Sequence, residues 1–532
     1  MENNKIEEAR RIIGLYTKKP FAACISKSRS RSPVYDLVLV IDDPEQGIER
    51  SRKAHRGTEY IVTLVSRRLF ERDVRKGALG EFVAAILLEP YQPLHNGDYL
   101  SEQEADLKSR VILEELENLS LRYQNLLPEI LIDPRFFFHV KMNRRAKIYP
   151  PLRSSYIRLL LEKNGEPQHG YTRAIERMVE SGQLQSNGYI KVTQKLIEEL
   201  PKPGEKVFTP FREVDLAIRR LATYGMASRS LEPTFIDDLY HDIDFASVDG
   251  FEDLPDPKSY LFLPTEGGLV SLDDKRGYRD LMGEIDVEGP GSIRRIGGAL
   301  NFVYLIQYGE GSSRRSVVAK TFQNWYGLKW IPLSIWTVGS QNFDIIGERR
   351  LSNEYRMNRR LRSKGLNAPE VYHISVENRT IIEEFIPGIG FDKIAKKQLE
   401  TTSRDPSDIA NLGEEISRVH AEGISLGDSK PDNTILDREG RIWFVDLEQA
   451  STGGNPAWDL AEFLYYSGHY TLRWGRMKPL VEAFLRGYLR KGEESVVREI
   501  SSSQYKRIFG VITAPHIVMG ISKVCSSYGS SS

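Results

Sequence analysis

The 532-residue chain carries 74 Lys+Arg against 74 Asp+Glu, with 40% apolar and 28% charged residues. At roughly 100–200 residues per domain this length predicts about three domains, and the composition excludes a wholly disordered or collagen-like chain. The zero net charge argues against coating nucleic acid by charge alone, and two cysteines at opposite ends, Cys24 and Cys525, exclude a disulfide framework or a cysteine zinc cluster. The first residues are not followed by the apolar stretch of a signal peptide. Ile508–Gly520, the most apolar late stretch, is too short to span a bilayer and reads as a buried helix or strand. A reducing, cytoplasmic setting without a membrane partner is expected.

The neutrality is a sum of unlike parts. Residues 1–230 hold 38 basic and 31 acidic side chains (+7), residues 231–290 hold 4 and 16 (−12), and residues 291–532 hold 32 and 27 (+5). Two mildly basic blocks therefore flank one acidic connector.

Residues 1–150 read as an α/β domain. Cys24-Ile25-Ser26-Lys27-Ser28-Arg29 leads into Asp36-Leu37-Val38-Leu39-Val40-Ile41-Asp42, a serine turn between two strands, the second headed by a carboxylate. The strand Tyr60–Val65 and a helix Arg67–Leu88 follow. The serine turn and the Asp36 strand resemble the nucleotidyltransferase fold, whose pattern is Gly-Ser and then Asp-x-Asp carrying two metals. Here Ser26-Lys27-Ser28 replaces Gly-Ser and Val38 occupies the second carboxylate position. The resemblance implies a degenerate domain in which the fold survives and the two-metal chemistry is lost.

Residues 151–230 switch to short helices, Ser155–Lys163 and Gly170–Ser181, then a β-hairpin over Gln183–Val192 around Asn187-Gly188 and a helix Thr193–Glu199. This pattern resembles a winged helix-turn-helix. It is preceded by the basic run Lys141-Met142-Asn143-Arg144-Arg145-Ala146-Lys147, which would meet phosphates in a salt-dependent way. A nucleic acid or ribonucleoprotein partner is the expectation for this module, with protein binding or a solvated basic face as the alternatives. Residues 231–290 form the acidic connector, closed by a hairpin over 260–272.

Residues 291–532 carry an ordered set of chemistry-bearing motifs. Gly297 and Gly298 precede the β-rich run Asn301–Ile306, suited to a loop whose backbone N–H groups approach phosphates. Val317-Val318-Ala319-Lys320 is an apolar strand ending in a lysine, and Arg349–Leu361 is a charged helix containing Glu354. After the strand Val371–Ile374 comes Ile381–Gly388, which resembles the strand and hinge that hold adenine by backbone hydrogen bonds, a resemblance that implies this role for Glu384 and Ile386. Leu426-Gly427-Asp428-Ser429-Lys430-Pro431-Asp432-Asn433 then precedes the strand Ile442–Val445 and Asp446-Leu447-Glu448. An Asp, an Asn five residues on, and an Asp closing the next strand form a phosphoryl-transfer constellation. Asp428 would take the acceptor proton, Asn433 and Asp446 would hold Mg2+, and Lys430 would screen the phosphate.

Together these motifs resemble the protein-kinase-like superfamily, in its atypical branch of RIO kinases, the KEOPS-complex kinase and lipopolysaccharide-kinase relatives. The resemblance covers roughly 291–500. It implies ATP and Mg2+ as cofactors, a bilobal kinase-like fold, Lys320 on the phosphates with Glu354 as its partner, and Asp459 as the brace of the catalytic loop. Leu426 stands where many kinases carry His, which loosens that brace, and Asp446-Leu447-Glu448 replaces Asp-Phe-Gly. Only 13 positions separate Asp446 from Asp459, too few for a long activation loop. Trp325, Trp330 and Trp336 lie between Lys320 and Glu354 and are expected to pack on the N-lobe. His420 is expected to be structural. The fold class is thus α+β multidomain: a nucleotidyltransferase-like α/β domain, a central winged helix and a C-terminal kinase-like domain. The expected function is an ATP-dependent Ser/Thr protein kinase. The alternatives are a small-molecule kinase of the aminoglycoside or choline type, and an ATPase scaffold.

Overall fold

The computed structural model describes residues 3–17, 20–27, 34–148, 156, 169–202, 210–227, 255–277, 280, 292–297, 301–309, 315–324, 344, 346–400 and 405–528. They fall into two compact units, Met1–Phe262 and Leu263–Ser532. Gly298, the three tryptophans at 325, 330 and 336, nearly all of the expected helix 155–163, and most of the acidic connector lie outside the described residues. Among the described residues no helix is long and apolar enough to cross a membrane.

The first unit opens with α1 (Asn3–Tyr16), β1 (Ala22–Lys27), β2 (Val34–Ile41), β3 (Ile48–His55) and β4 (Thr58–Ser66). It continues with α2 (Arg67–Lys76), β5 (Gln92–His95), α3 (Gly97–Arg122), β6 (Leu131–Ile132) and α4 (Arg135–Ile148). The sheet order is β3-β4-β2-β1-β5, with β2 and β4 parallel at its centre. Their Val, Leu and Ile runs suit strands covered on both faces. Ala9, Ile12 and Ile13 of α1 pack on Ile25, Leu37, Leu39 and Val62.

The single helix expected over Arg67–Leu88 stops at Gly77, whose φ of 59° ends it in the left-handed region. The buried Asp73 carboxylate then accepts the N–H groups of Leu79, Glu81, Val83 and Ala84, which fixes a turn that hydrophobic period alone does not reveal. Further on, α5 (His169–Glu180) leads into β7 (Leu184–Asn187) and β8 (Tyr189–Val192), joined through Gly188 at φ 76°, and then α6 (Gln194–Glu199), capped by Thr193. Helix α7 (Pro210–Ala227) follows.

The basic run on α4 is not a free face. Lys141 pairs with Glu81 at 3.0 Å, Arg144 with Glu115 at 2.5 Å, and buried Arg145 lies 4.0 Å from Glu89. These cations neutralise carboxylates inside the unit; Lys141 is 1% exposed. Polyanion binding by these three residues is thereby corrected.

The second unit begins within β9 (Leu261–Thr265) and continues through β10 (Gly268–Ser271), β11 (Ser292–Gly297), β12 (Asn301–Tyr308) and β13 (Arg315–Phe322). Helix α8 (Gly347–Ser363), β14 (Val371–Ser375) and β15 (Thr380–Glu384) complete the order β11-β12-β13-β15-β14. The rest is largely helical: β16 (Gly388–Gly390), α9 (Phe391–Glu400), α10 (Ser407–Ala421), β17 (Ile424–Ser425), β18 (Thr434–Asp437), β19 (Ile442–Phe444) and β20 (Ser451–Thr452). Helices α11 (Pro456–Gly468), α12 (Trp474–Tyr488), α13 (Glu494–Glu499), α14 (Ser503–Phe509) and α15 (Pro515–Ser526) close the chain.

The core of this helical part joins Leu412 and Ile416 of α10, Phe463 and Leu464 of α11, and Leu480 and Phe484 of α12. Helices α10 and α12 meet backbone to backbone. A Cβ on Gly413 would strike the Phe484 carbonyl, and one on Gly487 the Ala410 carbonyl. Ile508–Gly520 is broken at 510–514 rather than one buried element, with Val511 exposed.

Candidate phosphoryl-transfer site

Strand β13 has alternating burial, and Lys320 falls inside it rather than at its end, paired in register with Val303 and Ile381. Its ammonium is buried and lies 2.7 Å from Glu354 Oε1 of α8, 3.3 Å from Glu383 Oε2 of β15 and 3.6 Å from Asp446 Oδ1. Burial alone would lower the Lys320 pKa, but the three carboxylates outweigh it and hold the ammonium well above the usual lysine range. Burial, partly offset by Lys320 and reinforced by Glu383 and Asp446, pushes the Glu354 carboxyl up. Glu383 also accepts a 2.8 Å bond from Asn358 Nδ2. Glu383 was missed in the sequence because it sits in an apolar-looking strand beside Glu384, with nothing local to mark it as facing the lysine.

Residues 426–433 hang on buried donors and acceptors. Asp459, fully buried on α11, accepts the Leu426 N–H at 2.6 Å, the Gly427 N–H at 2.8 Å and His420 Nε2 at 2.9 Å. Donation from Nε2 leaves His420 Nδ1 to accept the Tyr488 hydroxyl at 3.0 Å. The loosening expected from Leu426 is thus corrected: Leu426 contributes its backbone, and His420, six residues earlier, supplies the imidazole. One turn along α11, Glu462 accepts the Ser429 N–H at 2.7 Å. Its carboxyl is raised by burial and by the nearby Asp428 charge.

The side chains expected at the site hang on this scaffold. Lys430 Nζ lies 2.7 Å from Asp428 Oδ1; burial opposes its charge, but Asp428 and Glu462 raise its pKa. Asn433 donates through Nδ2 to the Asp428 carbonyl at 2.9 Å, and its own carbonyl accepts the Val445 N–H at 3.0 Å. The second bond sets Asn433 across the β18–β19 ladder from the residue preceding Asp446. Asp446 adopts φ 62°, ψ 58°, a left-handed conformation that Asp tolerates better than most residues. Gly297 ends β11, Glu384 ends β15 and Ile386 lies in the extended segment beyond it.

Behind Asp446, Glu448 is buried and faces Arg350 at 2.9 Å. Burial and the Asp446 charge push its carboxyl up to about 7 against the pull of Arg350. Glu448 stands in the Asp446-Leu447-Glu448 triplet noted in the sequence, but nothing local marks Arg350, 98 residues away, as its partner.

Among the described residues no three His, Cys, Asp or Glu side chains converge into a self-contained metal cage. Asn433 and Asp446 offer hard oxygen donors and no soft ligand, a partial set that fits Mg2+, which commonly keeps water and phosphate in its remaining positions.

No family model matches the chain. It is similar to the protein named KEOPS complex subunit Bud32 from Pyrococcus abyssi, 31% identical over 101 residues, which is 19% of this chain and 44% of that protein. It is also similar to the EKC/KEOPS complex subunit bud32 of Dictyostelium discoideum, 27% identical over 155 residues, 28% of this chain and 61% of that protein. The chain spans less than two thirds of the length of these curated relatives. The similarity supports a relationship to the atypical protein-kinase-like family.

Proposed function

We propose that the second unit is an ATP- and Mg2+-dependent atypical Ser/Thr protein kinase that transfers the γ-phosphoryl group to a protein hydroxyl. The observation that carries this reading is the ammonium of Lys320, held between Glu354 and Asp446. Lys320 directs its charge to the ATP phosphates, and Glu354 fixes its position. The backbones at Glu384 and Ile386 receive adenine, and the segment at Gly297 and Gly298 covers the phosphates. Asn433 and Asp446 hold Mg2+, which when bound neutralises charge on the phosphoryl group. Asp428 accepts the proton of the incoming hydroxyl, and Lys430 offsets the charge that develops beside it.

Asp428→Ala tests the assignment, with radiolabelled ATP offered to protein and metabolite acceptors. Transfer falls by at least about 1000-fold while ATP affinity stays within about threefold. Full transfer by the variant overturns the reading.

A second reading is an ATP-binding or ATPase scaffold in a multisubunit assembly, as the names of the relatives suggest. It is favoured by the short segment between Asp446 and α11, which offers no long loop to dock a peptide. Steady hydrolysis of ATP without any acceptor distinguishes it from the first.

For the first unit we infer a degenerate nucleotidyltransferase-like domain with a winged helix for targeting. Asp36 lies 3.8 Å from Arg50 Nη2, and Val38 stands at the second carboxylate position. One carboxylate beside a guanidinium does not make a two-metal centre. With Lys141, Arg144 and Arg145 committed internally, any nucleic-acid contact falls to other residues.

A further inference from the structure

Four aliphatic side chains stand out in the last helical part of the second unit. Leu472, Val511, Ile512 and Met519 are between 41% and 74% exposed. Single exposed aliphatic residues are ordinary on a protein surface, but these four share one locality. His469 Nδ1 donates to the Ile512 carbonyl at 2.6 Å, and His516 Nε2 donates to the Leu472 carbonyl at 2.7 Å. These reciprocal bonds tie the turn 469–473, between α11 and α12, to the turn 510–514, between α14 and α15. Buried Thr513 anchors the second turn by donating to the Tyr465 carbonyl at 2.7 Å. Met519 follows His516 by one helical turn on α15. A bonded frame therefore holds these apolar groups at the surface.

The charge around them is one-sided. Residues 469–481 and 500–532 hold six Lys or Arg and no Asp or Glu, whereas at the chain's average frequency they would carry about six carboxylates. Arg473 adjoins Leu472, Arg507 lies four residues before Val511, and Lys523 lies one turn beyond Met519 on the same face of α15. All three cations are exposed, and none has a carboxylate partner among the described residues.

Apolar tips among cations match a partner that is anionic outside and apolar within. A bilayer with anionic headgroups has that layering: the aliphatic groups enter the boundary between headgroups and acyl chains, and the cations meet the headgroup charge. A second copy of this chain docked by two-fold symmetry would instead set cation against cation. Nucleic acid would match the cations but leave the aliphatic groups idle, since it is gripped by hydrogen bonds and aromatic stacking. We propose that this face is a peripheral docking surface for an anionic lipid membrane. The expectation of no membrane partner turns on a spanning segment, and a peripheral surface requires none. The inference is independent of the kinase reading.

The test is cosedimentation of the full-length protein with vesicles of phosphatidylcholine alone and of phosphatidylcholine with about 30% phosphatidylserine. Wild type binds the anionic vesicles at least about tenfold more tightly, and high salt abolishes the difference. Leu472→Ser combined with Met519→Gln weakens that binding about tenfold, as two partly inserted side chains are withdrawn. Arg507→Gln combined with Lys523→Gln weakens it about twentyfold and flattens its salt dependence. Melting temperatures stay at the wild-type value, because the replaced groups are exposed; should the apolar pair melt early, Val511→Ser takes its place. Equal binding to both vesicle types, binding to neither, or wild-type affinity in either pair of substitutions overturns the proposal. So does binding of single-stranded RNA or a poly-glutamate peptide, in place of vesicles, that the same variants abolish. Absence of phosphotransfer would overturn the kinase reading and leave this one standing.

Discussion

Replacing Asp459 by Ala takes away the acceptor for three buried donors: the N–H groups of Leu426 and Gly427 and the Nε2 of His420. Each buried donor left without a partner costs about 1–3 kcal/mol, so the two backbone groups alone remove about 2–6 kcal/mol. That is a large share of the roughly 5–15 kcal/mol that stabilises a folded domain. Asp459→Asn keeps one acceptor oxygen and turns an NH2 group toward the other N–H, so it falls between wild type and Asp459→Ala. All six tryptophans lie beyond residue 324, so tryptophan fluorescence reports on the second unit. Urea unfolding followed by that signal should show the midpoint falling in the order wild type, Asn, Ala, with an unchanged slope. A loss below about 1 kcal/mol in Asp459→Ala would show that water or a neighbour replaces the carboxylate, and the brace would not be the fixed point of residues 426–433.

Two further outcomes follow from named groups. Glu383→Gln removes one of three carboxylates around Lys320 while leaving an acceptor for Asn358; the charge it takes from the phosphate side should tighten ATP binding about three- to tenfold in calorimetric titration. Unchanged or weaker binding refutes the idea that Glu383 competes with the phosphates. In the first unit, His139 is stacked on Tyr260 with centroids 4.3 Å apart, and burial, with Arg135 nearby, lowers its pKa from 6.5 to about 4. The folded state resists a proton that the unfolded chain accepts, so this contribution is full above pH 6.5 and is lost as pH falls towards 4, up to roughly 3 kcal/mol. Scanning calorimetry should find a smaller drop in stability between pH 7 and about 4.5 for His139→Gln than for wild type; equal drops would place the acid sensitivity elsewhere.

The parts of the site that could be read in the sequence are those with a local signature. Lys320 ends an apolar run, Glu354 lies in a helix-period segment, and Asp428, Asn433 and Asp446 stand close in sequence, with Asp446 just after an apolar strand. The hairpin at Gly188 was legible for the same reason, since Asn-Gly flanked by alternating residues specifies its turn. What escaped was decided across distance. Glu383, Arg350, Asn301 and Glu448 acquire meaning only when β12, β13, β15 and α8 come together, and the Asn301–Glu448 bond spans 147 positions. The basic run on α4 misled for a related reason: composition reveals its charge but not the carboxylates of Glu81 and Glu115 that cover it. The helix over Arg67–Leu88 was overextended because Asp73, an ordinary helix residue by pattern, gathers four N–H groups from the chain beyond Gly77.

The close approach of α10 and α12 at Gly413 and Gly487 bears on how this chain can vary. Neither glycine is placed near phosphate chemistry, yet a single added carbon at either position meets a backbone carbonyl, which cannot rotate aside as a side chain would. His420 lies in the last turn of α10, so a wedge between the two helices would shift the imidazole on Asp459 and, through it, the loop bearing Asp428. In a randomised library screened for phosphotransfer these two sites would therefore collapse to glycine as firmly as Asp428 holds its carboxylate. Intolerance to substitution would there record the thickness of a backbone, and a map of function drawn from tolerance alone would set two spacers beside the residues proposed to react.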